Sequence, residues 1–148
     1  MLCNSGDDLE KEMANIQMFQ QLQADGIIIT TNCAETGRIL KNCPVPAVLV
    51  DCKLDNIGEH AFVEADNYQG GCLATQHLLE CGSKKIVCMK EPTGYSSGRK
   101  RYKGYADVCK KYGLKERIVD CCYDYESGLR AAEEILKRYP EADGVIAG

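Results

Sequence analysis

Short apolar, largely β-branched runs alternate with helical patterns along the whole chain, the signature of parallel strands joined by crossover helices. Leu9, Met13, Ile16, Phe19 and Leu22 recur at spacings of four and three and define one apolar helix face, with Asp7 and Asp8 ahead of it as N-cap candidates. Ala24-Asp25-Gly26 ends that helix. The run from Ile27 to Thr30, apolar and then polar, reads as a parallel strand covered on both faces. A short helix around Ala34 to Lys41 follows, then a strand over Ala47 to Val50 bounded by Pro44 and Pro46, and a short strand near Phe62 to Glu64.

Asp66 and Gln69 have the spacing of a capping box and open a helix that runs to Cys81-Gly82. Gly70 and Gly71 weaken that helix unless a close approach to a neighbour or room for a ligand requires them. The pattern then predicts a strand over Lys85 to Met89, a helix over Ser97 to Tyr112, a strand over Arg117 to Cys121, a helix over Glu126 to Tyr139 closed by Pro140, and a strand over Val145 to Ala147. Ala24-Asp25-Gly26-Ile27-Ile28 and Ala142-Asp143-Gly144-Val145-Ile146 are near copies, which points to two lobes built on one βαβ plan. Glu91-Pro92-Thr93-Gly94 breaks the pattern. The expectation is an α/β chain with a first lobe over residues 1–90 and a partial second lobe over 91–148, each holding a parallel sheet.

Composition narrows the function. With 18 Lys+Arg against 22 Asp+Glu the formal charge is -4, which gives the chain no case for wrapping a nucleic acid backbone. The apolar runs fall far short of the ~20 residues of a membrane helix, and no signal peptide is readable at Met1. The ten cysteines sit in or beside apolar runs and include no C-x-x-C pair, so reduced, structural thiols in a cytoplasmic protein are expected rather than a disulfide framework. His60 and His77 lie far apart, and no metal is expected. Dinucleotide, P-loop and nucleophile-elbow motifs are all missing, so neither an enzyme nor a cofactor is expected.

One basic residue stands out. On the helix over 97–112, Lys100, Lys103, Asp107, Lys110 and Lys111 share a wet face, whereas Ser97, Arg101, Tyr105, Val108 and Tyr112 share the opposite one. Arg101 is thus directed inward and needs a partner, either a carboxylate in a structural salt bridge or a ligand for which its forked donors form a clamp. Tyr123 and Tyr125 follow a strand at its carboxyl end, where open α/β sheets bind ligands. Core packing and stacking on a sugar or flat ring both fit them.

Taken in order, these segments resemble the effector-binding domain of the LacI/GalR family of bacterial transcription regulators, which shares the periplasmic sugar-binding-protein fold. The resemblance runs from Met1 to Gly148 and is carried by Leu2-Cys3-Asn4-Ser5 with Glu10-Lys11-Glu12, Ala24 to Ile29, Pro46 to Asp51, Asp66 to Gly71 with Thr75 to Leu79, Gly82 to Ile86, Ser97 to Arg101 with Gly104-Tyr105, and Glu126-Ser127-Gly128. It implies two Rossmann-like lobes. It also implies ligand-binding roles for Arg101 as effector clamp, Ser97 as a polar neighbour, Tyr123 as the pocket aromatic, and Asp66 and Asn4 on the first-lobe side of the cleft. The partners it implies are a sugar or other small-molecule effector, a second copy in a homodimer, and operator DNA reached only through an N-terminal helix-turn-helix outside this sequence. Against the family pattern the chain looks truncated at both ends, with the strand at Leu2 left beside a gap and prone to pair with another copy or to detach. The competing reading is a periplasmic sugar-binding protein of a transport system.

Overall fold

The computed structural model describes residues 1–148 except 7, 32, 53, 55, 56 and 93–95. Along it run α1 (Leu9–Gln21), β1 (Ile27–Ile29), α2 (Thr36–Lys41), β2 (Ala47–Val50), β3 (Ala61–Val63), α3 (Asn67–Glu80), β4 (Ile86–Lys90), α4 (Ser96–Lys111), β5 (Ile118–Asp120), α5 (Tyr125–Arg138) and β6 (Gly144–Ala147). The strands form two sheets, in the orders β1-β2-β3 and β5-β4-β6, and every pairing is parallel. The α/β class read from the alternation is what the chain adopts.

The chain divides into two compact units, Met1–Ala65 and Asp66–Gly148. This corrects the boundary expected at residue 90. The run Ile86–Cys88 is buried, and a buried strand needs neighbours at its edges as well as on its faces. Those neighbours come from later in the chain: Cys88 stands opposite Ile118 and Ile146, and α3 packs along α4. Glu91 and Pro92 therefore follow β4 inside one unit, while Thr93 and Gly94 lie outside the described residues.

In the first unit, Asp8 caps α1, its Oδ1 accepting from the amides of Glu10 (3.0 Å) and Lys11 (3.2 Å). The Lys11 amide is the main reason its carboxyl is held below the usual carboxylate range. Asp7, the other cap candidate, lies outside the described residues. Ile16 of α1 and Leu40 of α2 pack against Ile27, Ala47 and Leu49 of the sheet. The inner face of α1 is turned from the expected one: Met13 is exposed, and Glu12, four residues before Ile16, is buried in its place. His60 ties the layers together, its Nδ1 accepting from the Ala47 amide (3.0 Å) and its Nε2 donating to the Leu40 carbonyl (2.8 Å). The expected strand at Leu2 is not formed. Leu2 is 97% exposed, and Met1–Cys3 line a cavity opposite Ile27 and Ile28 instead of hydrogen-bonding along β1. A strand exists only where a neighbour's backbone donors and acceptors come within reach, and here they do not.

The second unit has three layers. On one face of its sheet, Ile86, Cys88 and Ile146 meet Tyr105 and Cys109 of α4 with Leu78 and Leu79 of α3. On the other, Val87 and Val119 meet Ala131 and Ile135 of α5. Gly71 and Gly104 are the reason α3 and α4 can lie against each other. A Cβ on Gly71 would stand 2.1 Å from the Arg101 carbonyl oxygen, and one on Gly104 would stand 2.4 Å from that of Tyr68. Gly71 thus answers to close approach, while a Cβ on Gly70 meets nothing within 4 Å. Fully buried Tyr105 links α4 to the sheet, its hydroxyl accepting from the Arg117 amide (2.9 Å) and lying 3.0 Å from the Ile86 carbonyl. Tyr112, expected on the same inner face, is instead 54% exposed. None of the ten cysteines is joined in a disulfide, and burial pushes the Cys88 thiol up to about 12.

Candidate functional site

The site forms where three elements of the second unit meet at the carboxyl ends of its strands. β4 leads to the first turns of α4, which carry Ser97 and Arg101; β5 leads to Tyr123; and the first turn of α3 presents Asn67. Carboxyl ends of parallel strands are the rim at which open α/β sheets hold ligands.

Arg101 organises this rim. Its NH1 donates to Asn67 Oδ1 (2.5 Å) and its NH2 to the Tyr123 hydroxyl (2.8 Å), while the guanidinium carbon lies 6.0 Å from the centroid of the Tyr123 ring. The predicted inward Arg101 is half-buried, and these two partners are neutral side chains. Tyr123 itself is held from both sides. The Cys122 amide donates to Ser127 Oγ (2.8 Å), and Asp124 caps α5 by accepting from the Ser127 amide (2.7 Å). Glycine at 98 lets the tyrosine reach this place, since a Cβ there would stand 2.7 Å from its hydroxyl oxygen and 3.0 Å from Cβ of buried Glu91.

Of the residues expected from the sequence, Arg101 and Tyr123 come together in one hydrogen-bonded group. Ser97 sits one turn before Arg101 on α4 and is half-buried. Asp66 uses Oδ1 to accept from the Gln69 amide (2.9 Å), which is the cap already read from the capping-box spacing. Asn4 belongs to the first unit, where its Oδ1 accepts from the Gly6 amide (2.9 Å) in a local turn. Tyr125 opens α5 and is 80% exposed.

Two residues escaped the sequence reading. Asn67 is buried and fastens the guanidinium, and its only signal was a place directly after the cap of α3. Glu12 is buried in the first unit, where its carboxylate accepts from Thr31 Oγ1 (2.9 Å), Thr36 Oγ1 and Ser5 Oγ (3.4 Å) beside a cavity of about 370 Å³. Its signal was present, since the three-and-four spacing that joins Leu9 to Ile16 also places Glu12 between them.

Chemically, the Arg101 group offers fixed cationic donors, an amide, a hydroxyl and an aromatic face. That is a set for orienting a small molecule rich in hydroxyls. Among the described residues no group of three or more His, Cys, Asp or Glu is placed to hold a metal ion, and no helix is long and apolar enough to cross a membrane.

The chain was compared with known proteins. The profile of the family described as periplasmic binding proteins and sugar binding domain of LacI family matches residues 1–148. The ribose operon repressor of Halalkalibacterium halodurans is 28% identical over 148 residues, covering 99% of this chain and 44% of that protein. Catabolite control protein A of Priestia megaterium is 29% identical over 157 residues, covering 100% of this chain and 46% of its own length. The chain therefore spans less than half the length of these relatives. Among solved structures, the transcription regulator CcpA of Lactococcus lactis superposes with a TM-score of 0.85 at 27% identity, over 99% of this chain and 55% of that one. A periplasmic binding protein/LacI transcriptional regulator from Alkaliphilus metalliredigens, solved in complex with D-xylulofuranose, superposes with a TM-score of 0.79 at 27% identity, over 99% of this chain and 54% of that one.

Proposed function

Because the chain belongs to the family of periplasmic binding proteins and LacI-type sugar-binding domains, we propose that it is the ligand-sensing part of a transcriptional repressor that responds to a sugar. Arg101, braced between Asn67 and Tyr123, is the observation that carries this reading. A guanidinium held by neutral partners keeps its charge available to a ligand, whereas one paired with a carboxylate has spent it. Ser97 extends the polar row along α4 toward the same ligand. Asp66 and Asn4 are weaker members of the proposed binding set, since each already accepts a local backbone hydrogen bond.

The sensor acts by linkage. A ligand that prefers one arrangement of the protein shifts the population toward it, and that shift is read as altered affinity for operator DNA in the complete, homodimeric regulator. The names of the sequence relatives, a ribose operon repressor and a catabolite control protein, favour this reading over a transport receptor. They also make pentoses the first sugars to try. In calorimetric titrations with a panel of pentoses and hexoses, Arg101→Ala is expected to weaken the binding sugar by roughly 2–5 kcal/mol, the range for losing one partner of a buried charged hydrogen bond. Unchanged affinity together with a lowered melting temperature would make Arg101 a purely structural link and overturn the assignment.

A further inference from the structure

A histidine–cysteine pair lies at the far end of α3. His77 and Cys81 stand one helical turn apart, both exposed, with His77 Nε2 3.7 Å from Cys81 Sγ. The spacing is set by the backbone itself, because the Cys81 amide closes the last turn of α3 on the His77 carbonyl at 2.9 Å. About ten residues separate His77 from Asn67, roughly 15 Å along a helix at 1.5 Å per residue, so this pair is remote from Arg101.

We propose that His77 and Cys81 chelate a single borderline-soft transition-metal ion, of which zinc is the natural probe. An imidazole nitrogen and a thiolate sulfur are the two ligand types such ions prefer. A tetrahedral ion with Zn–S of about 2.3 Å and Zn–N of about 2.0 Å places its two ligand atoms about 3.5 Å apart, close to the separation already present. The chelate closes without rebuilding the helix. The pair also sits on the carbonyl end of α3, where the helix dipole favours a cation. Among the described residues no third His, Cys, Asp or Glu joins it, so water fills the remaining positions and the site stays open. On binding, the Cys81 thiol gives up its proton to solvent, a metal–sulfur bond forms, and the hydrogen-bonding link between sulfur and imidazole is replaced by the ion.

The test is zinc titration of the reduced protein against a chromogenic chelator, with cobalt(II) as a spectroscopic stand-in. One equivalent of zinc at micromolar concentration is expected to bind with release of one proton. Cys81→Ser and His77→Gln should each weaken that binding at least tenfold. Cys81→Ser should also abolish the thiolate-to-cobalt charge-transfer band, while His77→Gln leaves it weakened and shifted. Both positions are exposed, and far-ultraviolet circular dichroism should be unchanged in either variant. Wild-type protein that binds no zinc at micromolar concentration, or zinc binding and a cobalt band that survive both substitutions, would overturn the site by assigning any affinity to the other cysteines.

Discussion

In the second unit the sheet is covered on both sides, by α3 and α4 against Ile86, Cys88 and Ile146 and by α5 against Val87 and Val119. Among the described residues of the first unit, only the face carrying Ile27, Ala47 and Leu49 meets helices. Its other face, where Ile28 stands opposite Val48 and Val50 opposite Val63, remains exposed. Both sheets are parallel and both are written in the same β-branched residues. The difference teaches that an apolar strand residue stabilises its unit only in proportion to the area a neighbouring layer removes from water.

The sharpest way to break this contrast is to trim one residue from each kind of face. Ile135→Ala, beneath the second sheet, is expected to cost roughly 3–4 kcal/mol through lost burial and a residual cavity. Val48→Ala, on the exposed face of the first, should stay within about 0.5 kcal/mol. Segment-resolved hydrogen exchange in rising denaturant reads both, and equal losses would mean that the first sheet is covered in solution.

A second test concerns how the covered unit achieves its packing. Gly71→Ala drives a Cβ into the Arg101 backbone and is expected to destabilise the second unit by roughly 2–3 kcal/mol and to separate Arg101 from Asn67. Gly70→Ala, one residue away with open space around it, should be stabilising by up to about 1 kcal/mol through helix propensity. Thermal melts of the two variants, compared side by side, check both signs.

Polar links run through the first unit around buried Glu12. Removing the buried acceptor in Glu12→Ala strands the hydroxyls of Thr31 and Thr36 and is expected to cost about 2 kcal/mol, measured by urea denaturation followed over the first unit.

The smallest effect separates the units by acid. Asp8 in the first and Asp143 in the second each accept backbone amide hydrogen bonds, Asp143 from Lys84 and Lys85, and both carboxyls are held below their usual range. A lowered folded-state value means that stability is present above the ordinary carboxylate range and is lost as pH falls through it. Asp8→Asn should flatten that acid dependence in the first unit alone, and Asp143→Asn in the second alone, as followed by exchange rates across the acid range.

Much of this architecture was legible in the chain. The caps at Asp8, Asp66 and the strands at Ile27, Ala47 and Ile86 follow from local rules, because a cap or an apolar run depends on residues close in sequence. Arg101 was legible as an inward cation because helix periodicity is local too. Asn67 was not, because its role exists only after α3 and α4 are brought together by Gly71 and Gly104. The boundary at Ala65 was hidden for the same reason: residues 66–90 carry no mark of which sheet β4 will join.

Ile27, Ile28 and Ile29 state the division most plainly. Three identical neighbours determined by themselves that this segment is a strand, since β-branched side chains suit an extended backbone. Their fates then diverged, with Ile27 6% exposed and Ile28 81% exposed. Alternation sends successive side chains to opposite faces, and only the tertiary structure decided which face α1 and α2 would cover, because that depends on packing between segments that no local pattern encodes.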